Sequence, residues 1–273
     1  MTTSDCYAEL RRWAGAFRRV FVLTGAGCST ASGIPDYRDE NGAWKRRPPV
    51  MIQAFRADPQ VYRRYWARAY AGWPRFTTAA PGAAHHALAA WEHAGTLACL
   101  VTQNVDRLHQ RAGSRAVIDL HGRLDEVVCL TCGMRSSRES VQAMMTGLNP
   151  GWQASATTAP DGDADIDTAA VESFEPPSCE YCGGLIKPDV VFFGENVPGG
   201  RVREAWDALA ASDAVLVAGS SLMVYSGFRF VKRAHDSGLP IAILNRGRTR
   251  ADEMATLRVD GDVGTLLTAA FGG

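Results

Sequence analysis

Residues 19–33 read Arg19-Val-Phe-Val-Leu-Thr-Gly-Ala-Gly-Cys-Ser-Thr-Ala-Ser-Gly33. Val20 to Leu23 are unbroken apolar residues, and the run stops at Gly25-Ala26-Gly27. A short apolar run without polar alternation is the pattern of a strand covered on both faces. Three more stretches repeat it: Leu97 to Thr102, closed by Gln103-Asn104-Val105-Asp106; Ala214 to Ala218, closed by Gly219-Ser220-Ser221; and Ile241 to Leu244, closed by Asn245-Arg246-Gly247. Arg201 to Ala211 and Phe228 to Ser237 are helical in composition, the second stopped by Gly238-Leu239-Pro240. Strands alternating with helices predict an α/β fold, a Rossmann-like parallel sheet with helices on both faces. Ligands of such sheets sit at the carboxyl ends of the strands, and all four strands end there in small or polar residues.

Bulk properties narrow the function classes. The chain has 273 residues, 46% of them apolar, with 29 Lys+Arg balancing 29 Asp+Glu. Zero formal charge gives no field to draw nucleic acid or an anionic membrane. Arg11, Arg12, Arg18 and Arg19, and the run Lys45-Arg46-Arg47, read as solvated faces. Met1 to Gly15 is polar and mixed in charge, which predicts no signal peptide, and no apolar run approaches the ~20 residues of a membrane span. The expectation is a cytoplasmic monomer without nucleic-acid or membrane partners. Seven cysteines, an odd count, then read as reduced thiols or metal ligands.

Cys129-Leu-Thr-Cys132-Gly133 and Cys179-Glu-Tyr-Cys182-Gly183 are two C-x-x-C turns. Each points two thiolates at one tetrahedral ion, and together they close its shell, so the zinc is structural with no open position for water. A redox C-x-x-C and unrelated buried cysteines are the competing readings; the doubling of the turn favours zinc. Residues 146–177, rich in Gly, Ala, Asp, Thr and Pro, form a surface excursion between the pairs. Cys6, Cys28 and Cys99 are unpaired. Cys99 lies in a core strand, and Cys28 has no histidine near it in sequence, so neither is read as a nucleophile.

Gly25-Ala26-Gly27 after a strand suits backbone approach to a pyrophosphate. The third glycine, Gly33, comes too late for G-x-G-x-x-G, and no acidic residue closes a second strand. Nucleotide binding without hydride transfer is the reading.

Gly25-Ala-Gly-Cys-Ser-Thr-Ala-Ser-Gly-Ile-Pro-Asp-Tyr-Arg38, Thr102-Gln-Asn-Val-Asp106, Leu120-His-Gly122, the two C-x-x-C pairs, Lys187-Pro-Asp-Val-Val-Phe-Phe-Gly-Glu195 and Gly219-Ser-Ser221 together resemble the sirtuin family. They stand in the family's order over nearly the whole chain. Arg64-Tyr-Trp-Ala-Arg68, Gly72-Trp-Pro74, the long excursion and Val224-Tyr-Ser-Gly227 further resemble the class II, mitochondrial-type sirtuins.

The resemblance implies an NAD-dependent protein lysine deacylase, an enzyme that transfers the acyl group from lysine to ADP-ribose and releases nicotinamide. Mono-ADP-ribosyl transfer or NAD hydrolysis from the same pocket is the alternative. Asn104 and Asp106 would organise the ribose and nicotinamide pocket, Gln103 would bond a ribose hydroxyl, and His121 would be the general base on another. Read alone, His121 is a strand-end histidine satisfied by backbone, and His109 is structural. His85, His86, His93 and His235 read as surface or packing residues.

The cofactor set implied is Gly25, Ala26, Gly27, Thr30, Asp36, Tyr37, Arg38, Gln103, Asn104, Asp106, Gly219, Ser220, Ser221, Asn245, Arg246, Gly247 and Val263, the last against adenine. Ser220 and Ser221 equally suit a helix cap. Val191, Phe192, Phe193, Gly194 and Glu195, with Leu222, Met223 and Val224, would pair with an extended acyl-lysine peptide. Tyr65-Trp-Ala-Arg68 has the Tyr-x-x-Arg spacing of succinyl-binding sirtuins, but no desuccinylase is inferred from it. The domains expected are residues 1–122 and 188–273 for NAD, with a helical insert at about 38–80, and a small zinc-ribbon module at 123–187.

Overall fold

The computed structural model describes residues 3–45, 49–153, 157–158, 164–165 and 168–271. In chain order the strands are β1 Val20–Thr24, β2 Leu97–Thr102, β3 Val117–Asp119, β4 Gly122–Cys129, β5 Arg135–Ser137, β6 Thr157–Thr158, β7 Ala164–Asp165, β8 Ile186–Val190, β9 Ala214–Ala218, β10 Ile241–Leu244 and β11 Leu257–Val259. The helices are α1 Thr3–Gly15, α2 Ile52–Ala57, α3 Pro59–Thr78, α4 Ala83–His93, α5 Leu108–Arg111, α6 Arg138–Leu148, α7 Thr168–Glu172, α8 Gly199–Ala210, α9 Tyr225–Asp236 and α10 Val263–Phe271. None of the described helices is long and apolar enough to cross a membrane. The chain falls into two compact units, residues 1–46, 80–120 and 197–273, and residues 47–79 and 121–196.

The first unit holds a six-stranded sheet in the order β11-β10-β9-β1-β2-β3, parallel throughout. Side chains alternate between its faces, as strand geometry requires. Val20, Val22, Leu100, Leu216 and Leu244 face one core with Leu10, Leu88 and Leu267 of α1, α4 and α10. Phe21, Leu23, Val101, Val217 and Ile243 face the other with Leu209 of α8 and Phe230 and Val231 of α9. Every residue of β1, β9 and β10 is buried, which is why these strands read as unbroken apolar runs. Each large side chain so covered contributes about 1.5–3 kcal/mol. After β1 the chain leaves toward the α4 face and after β9 toward the α9 face, so the sheet switches direction between these neighbouring strands, the position at which such sheets take ligands.

In the second unit β4 pairs antiparallel with β5 and β8, and α2, α3, α6 and α7 complete it. Asp58 starts α3 by accepting the Gln60 N–H at 2.8 Å, and Pro59 fits the first turn because its N–H would be unpaired there anyway. Residues 47–79, expected as an insert of the NAD-binding domain, cluster instead with the cysteine-bearing residues: Ile52, Phe55, Tyr65 and Trp66 share a core with Val127, Met145, Phe174 and Ile186. The unit boundaries fall at 120/121 and 196/197, not at the expected 122/123 and 187/188.

Candidate functional site

The loops after β1 and β9 meet backbone to backbone. Gly27 N–H donates to Gly219 O at 2.9 Å, and Gly25 N–H donates to Ala218 O at 3.2 Å. A Cβ on Gly27 would stand 2.8 Å from Gly219 Cα, and one on Gly219, at φ 63°, would stand 2.6 Å from Cys28 N. These glycines therefore seat one loop on the other, a role their place in a phosphate-binding pattern does not reveal. The backbone N–H groups of Ala26, Ser220 and Ser221 have no acceptor among the described residues. Three such donors at strand ends are the donor set a pyrophosphate requires, so the residues present fit a dinucleotide.

Gln103 lies across this junction, its amide donating to Thr24 O at 3.2 Å and Ser220 Oγ at 2.7 Å. Ser220 Oγ also accepts the Leu222 N–H at 3.3 Å. The helix-cap alternative for Ser220 and Ser221 fails, because the residue before α9 is Val224 and no side chain caps the helix.

Below the loops is a buried polar network. Ser29 Oγ donates to Asp106 Oδ2 at 2.6 Å and accepts the Asn104 amide at 3.0 Å. Asn104 also donates to Gly25 O at 3.1 Å, and Asp106 Oδ1 accepts the Leu108 N–H at 3.0 Å. His85 Nδ1 accepts the Gly82 N–H at 3.0 Å. That leaves the neutral ring's proton on Nε2, 3.4 Å from Ser29 Oγ. His109 Nε2 is 3.0 Å from Thr24 Oγ1, and its ring centroid is 4.7 Å from that of His85. Burial lowers the pKa of both histidines, that of His109 well below the ordinary range. Cys28 is buried too, its thiol pushed up to about 12 by desolvation, so it is not a nucleophile.

Ser29 and His85 were absent from the expected site, and sequence gives little signal for them. They lie in different segments, and only the fold brings them together.

Residues 36–45 form a self-closed hairpin. Asp36 pairs with Lys45 at 2.6 Å, Arg38 donates to Gly42 O at 2.6 Å, and the Arg38 guanidinium lies 3.9 Å above the Trp44 ring. Tyr37 meets Trp44 edge-on. Thr30 Oγ1 donates to Gly27 O at 3.2 Å. Beyond β10 the Asn245 amide donates to the carbonyls of Arg246 and Gly247. Val263 is buried in the α1/α4/α10 core.

In the second unit the four cysteine sulfurs lie within 4.8 Å of one another. The short pairs are Cys129–Cys182 at 3.6 Å and Cys132–Cys179 at 3.7 Å. A tetrahedral zinc with ~2.3 Å sulfur bonds has edges of ~3.8 Å, so the tetrad fits one structural zinc. Each short contact joins different C-x-x-C turns, the opposite of a redox pair. The N–H groups of Cys132 and Thr131 lower the Cys129 thiol to about 6, while the neighbouring sulfurs push that of Cys182 up to about 12, so a metal taking all four would release protons.

His121 opens this unit between β3 and β4, its carbonyl accepting the Val191 N–H at 2.8 Å. Beyond the end of β8, Val191 extends the pairing with β4, and Phe192–Glu195 closes a turn. Glu195 N–H donates to Phe192 O, Phe192 N–H donates to Glu195 Oε2 at 2.8 Å, and Ile52 N–H takes Phe193 O at 2.9 Å. In the first unit Leu222 is buried at φ 58°, and no bond to the main chain of Met223 occurs among the described residues.

Fold and site together define a nucleotide-binding α/β protein with a structural zinc module. The Sir2 family model matches residues 25–226. An NAD-dependent protein deacetylase of Xanthomonas axonopodis pv. citri is 63% identical over 244 residues, 89% of this chain and 83% of that one. One of Bordetella bronchiseptica is 58% identical over 257 residues, 94% of this chain and 93% of that one. A solved structure of Sir2 with a deacetylated p53 peptide and 3′-O-acetyl-ADP-ribose aligns with TM-score 0.80 and 34% identity, covering 97% of each chain. Another, from work on sirtuin substrate affinity, aligns with TM-score 0.76 and 33% identity, covering 100% of this chain and 99% of that one. The chain belongs to the Sir2, or sirtuin, family.

Proposed function

We propose that this chain is an NAD-dependent protein lysine deacylase that moves the acyl group of an acyl-lysine side chain onto ADP-ribose and releases nicotinamide. The observation that carries the reading is the junction of Gly25–Gly27 with Gly219–Ser221, underlaid by the Ser29, Asn104 and Asp106 network, in a chain 63% identical to an NAD-dependent protein deacetylase. NAD supplies an activated C1′–nicotinamide bond. The backbone donors of Ala26, Ser220 and Ser221 hold its pyrophosphate, and Asn104 and Asp106 orient the ribose below. His121 accepts a proton from a ribose hydroxyl, imidazole being the side chain suited to general-base work at neutral pH.

The main chain of Met223 is the part of Leu222–Val224 left to bond an extended peptide, so a broad sequence preference follows. Tyr65 is packed against Phe55 and Phe192, which favours an uncharged acyl chain over a dicarboxylate. The Arg64-Tyr-Trp-Ala-Arg68 and Gly72-Trp-Pro74 segments support a class II assignment, and a cytoplasmic monomer completes the reading.

The test is mass spectrometry of NAD incubated with a panel of acyl-lysine peptides. O-acyl-ADP-ribose is the expected product. ADP-ribose alone, or ADP-ribosylated peptide, would replace the reading with NAD hydrolysis or ADP-ribosyl transfer. His121→Ala should lose acyl transfer; a variant that kept it would remove His121 from its role.

A further inference from the structure

The hairpin 36–45 touches two strand-end loops through its tip. Arg248 N–H donates to Glu40 O at 2.9 Å. Gly247, at φ 75°, is so close that an added Cβ would lie 2.5 Å from Glu40 O and 2.6 Å from its Cα. Two residues further along the tip, Gly42 at φ 81° lies under the Met223 side chain, whose Cε would stand 2.7 Å from an added Cβ. The rest of the hairpin is braced internally. Asp39 Oδ1 accepts the N–H groups of Asn41 and Ala43, both at 2.9 Å, and Lys45 N–H donates to Tyr37 O at 3.0 Å. With the Arg38–Gly42 and Asp36–Lys45 bonds, these make residues 36–45 move as one piece, so a push at the tip reaches Asp36, Tyr37 and Arg38.

From this geometry we infer that Met223 and Gly247 are positioning residues that couple the two ligands of the enzyme. Met223 passes the state of the peptide-bearing segment to the nucleotide-bearing hairpin, and Gly247 is the seat on which the hairpin docks. The inference rests on the deacylase reading, which makes Met223 a peptide-contact residue and the hairpin part of the nucleotide site. Side-chain packing of Met223 on Gly42 is the link: a peptide strand bonded along the Met223 main chain fixes where that side chain lies. The hairpin tip then has one preferred seat, and nucleotide affinity changes. Coupling of this kind is reciprocal, so nucleotide must change peptide affinity by the same factor.

The experiment uses the full chain with ADP-ribose and an acetyl-lysine peptide, a pair that binds without reacting. Calorimetry gives the affinity for ADP-ribose with and without saturating peptide, and their ratio is the coupling factor. For the unaltered chain the ratio should lie within the ~5–150-fold range of allosteric couplings. Met223→Ala should bring it to about 1, and Met223→Leu, which keeps the bulk over Gly42, should retain it. Gly247→Ala should weaken ADP-ribose several-fold while leaving peptide affinity in the absence of nucleotide unchanged. A ratio of 1 in the unaltered chain, or the same ratio in Met223→Ala, overturns the inference, and a Gly247→Ala chain that fails to fold leaves the Met223 arms to decide. If the unaltered chain also releases no nicotinamide from NAD with any acyl-lysine peptide, the deacylase reading falls with it. If it turns over normally, only the coupling falls.

Discussion

Ser29 donates its hydroxyl to Asp106 at 2.6 Å across a separation of 77 residues. Through the same oxygen it accepts the Asn104 amide. One small side chain thus sets the position of both polar residues at the end of β2. Ser29→Ala leaves a carboxylate oxygen and an amide without their partner in a buried place, a cost of ~1–3 kcal/mol. Chemical denaturation should show that loss. Nicotinamide release should fall about tenfold or more in kcat/KM for NAD, equivalent to ~1.4 kcal/mol or more of transition-state stabilisation. Unchanged kinetics would mean that Asn104 and Asp106 are held by other groups.

Metal removal should act on the second unit. The tetrad is built from knuckles in separate segments, so losing zinc frees Cys129–Cys132 from Cys179–Cys182 and loosens β4 from β8. Elemental analysis should find one zinc per chain. A strong chelator, or Cys129→Ser, should lower the melting temperature and abolish deacylation, with zinc restoring both in the chelated protein. Full activity at zero zinc would contradict a structural role.

Stability should fall on acidification. His85 and His109 are held neutral by burial, their folded pKa values lying below the ordinary 6.5. Between the folded value and 6.5 the unfolded chain binds more protons, so stability rises with pH through this window and is lost as pH drops below about 6.5. Each histidine can contribute at most ~1.4 kcal/mol per pH unit. Urea denaturation at about pH 7 and about pH 5 should show the fall, and His109→Gln should flatten it.

Tyr62 links α3 to the cysteine-bearing segment. Its hydroxyl accepts the Ile186 N–H at 3.1 Å and donates to Pro177 O at 2.9 Å. Burial first of all pushes the phenol up to about 12, so it remains a donor at every working pH. Tyr62→Phe removes the oxygen and strands a buried N–H, which should cost ~1–3 kcal/mol in a thermal melt while KM for NAD stays unchanged.

The strands Leu97–Thr102, Ala214–Ala218 and Ile241–Leu244 begin and end where their apolar runs do, because burial on both faces forces every position to be apolar or small. The tetrad was equally legible, since a metal shell needs only residue type and spacing. Other features depend on partners far along the chain. Residues 47–79 carry apolar faces that do not say which core they join, and Phe55 and Trp66 found the one holding Met145 and Phe174. The glycines read as a phosphate pattern, but Gly27 and Gly219 are required by each other. Val191–Glu195 has strand composition, yet past Val191 the Glu195 carboxylate caps the Phe192 N–H, a local competition that β-propensity does not register.

The interleaving of the two units fixes an order of events during synthesis. The second unit is complete at Asn196, while the first still awaits Val197–Gly273. In that remaining stretch lie β9, β10 and β11, and β9 is the strand that flanks β1 on the side away from β2. On an emerging chain, then, the zinc ligands are all available while the sheet has only three of its six strands, and β1 waits with one edge bare. The metal-bearing unit is therefore the part able to fold first on the ribosome. Starving a cell of zinc during translation should leave more aggregated chain than withdrawing zinc after the sheet has closed.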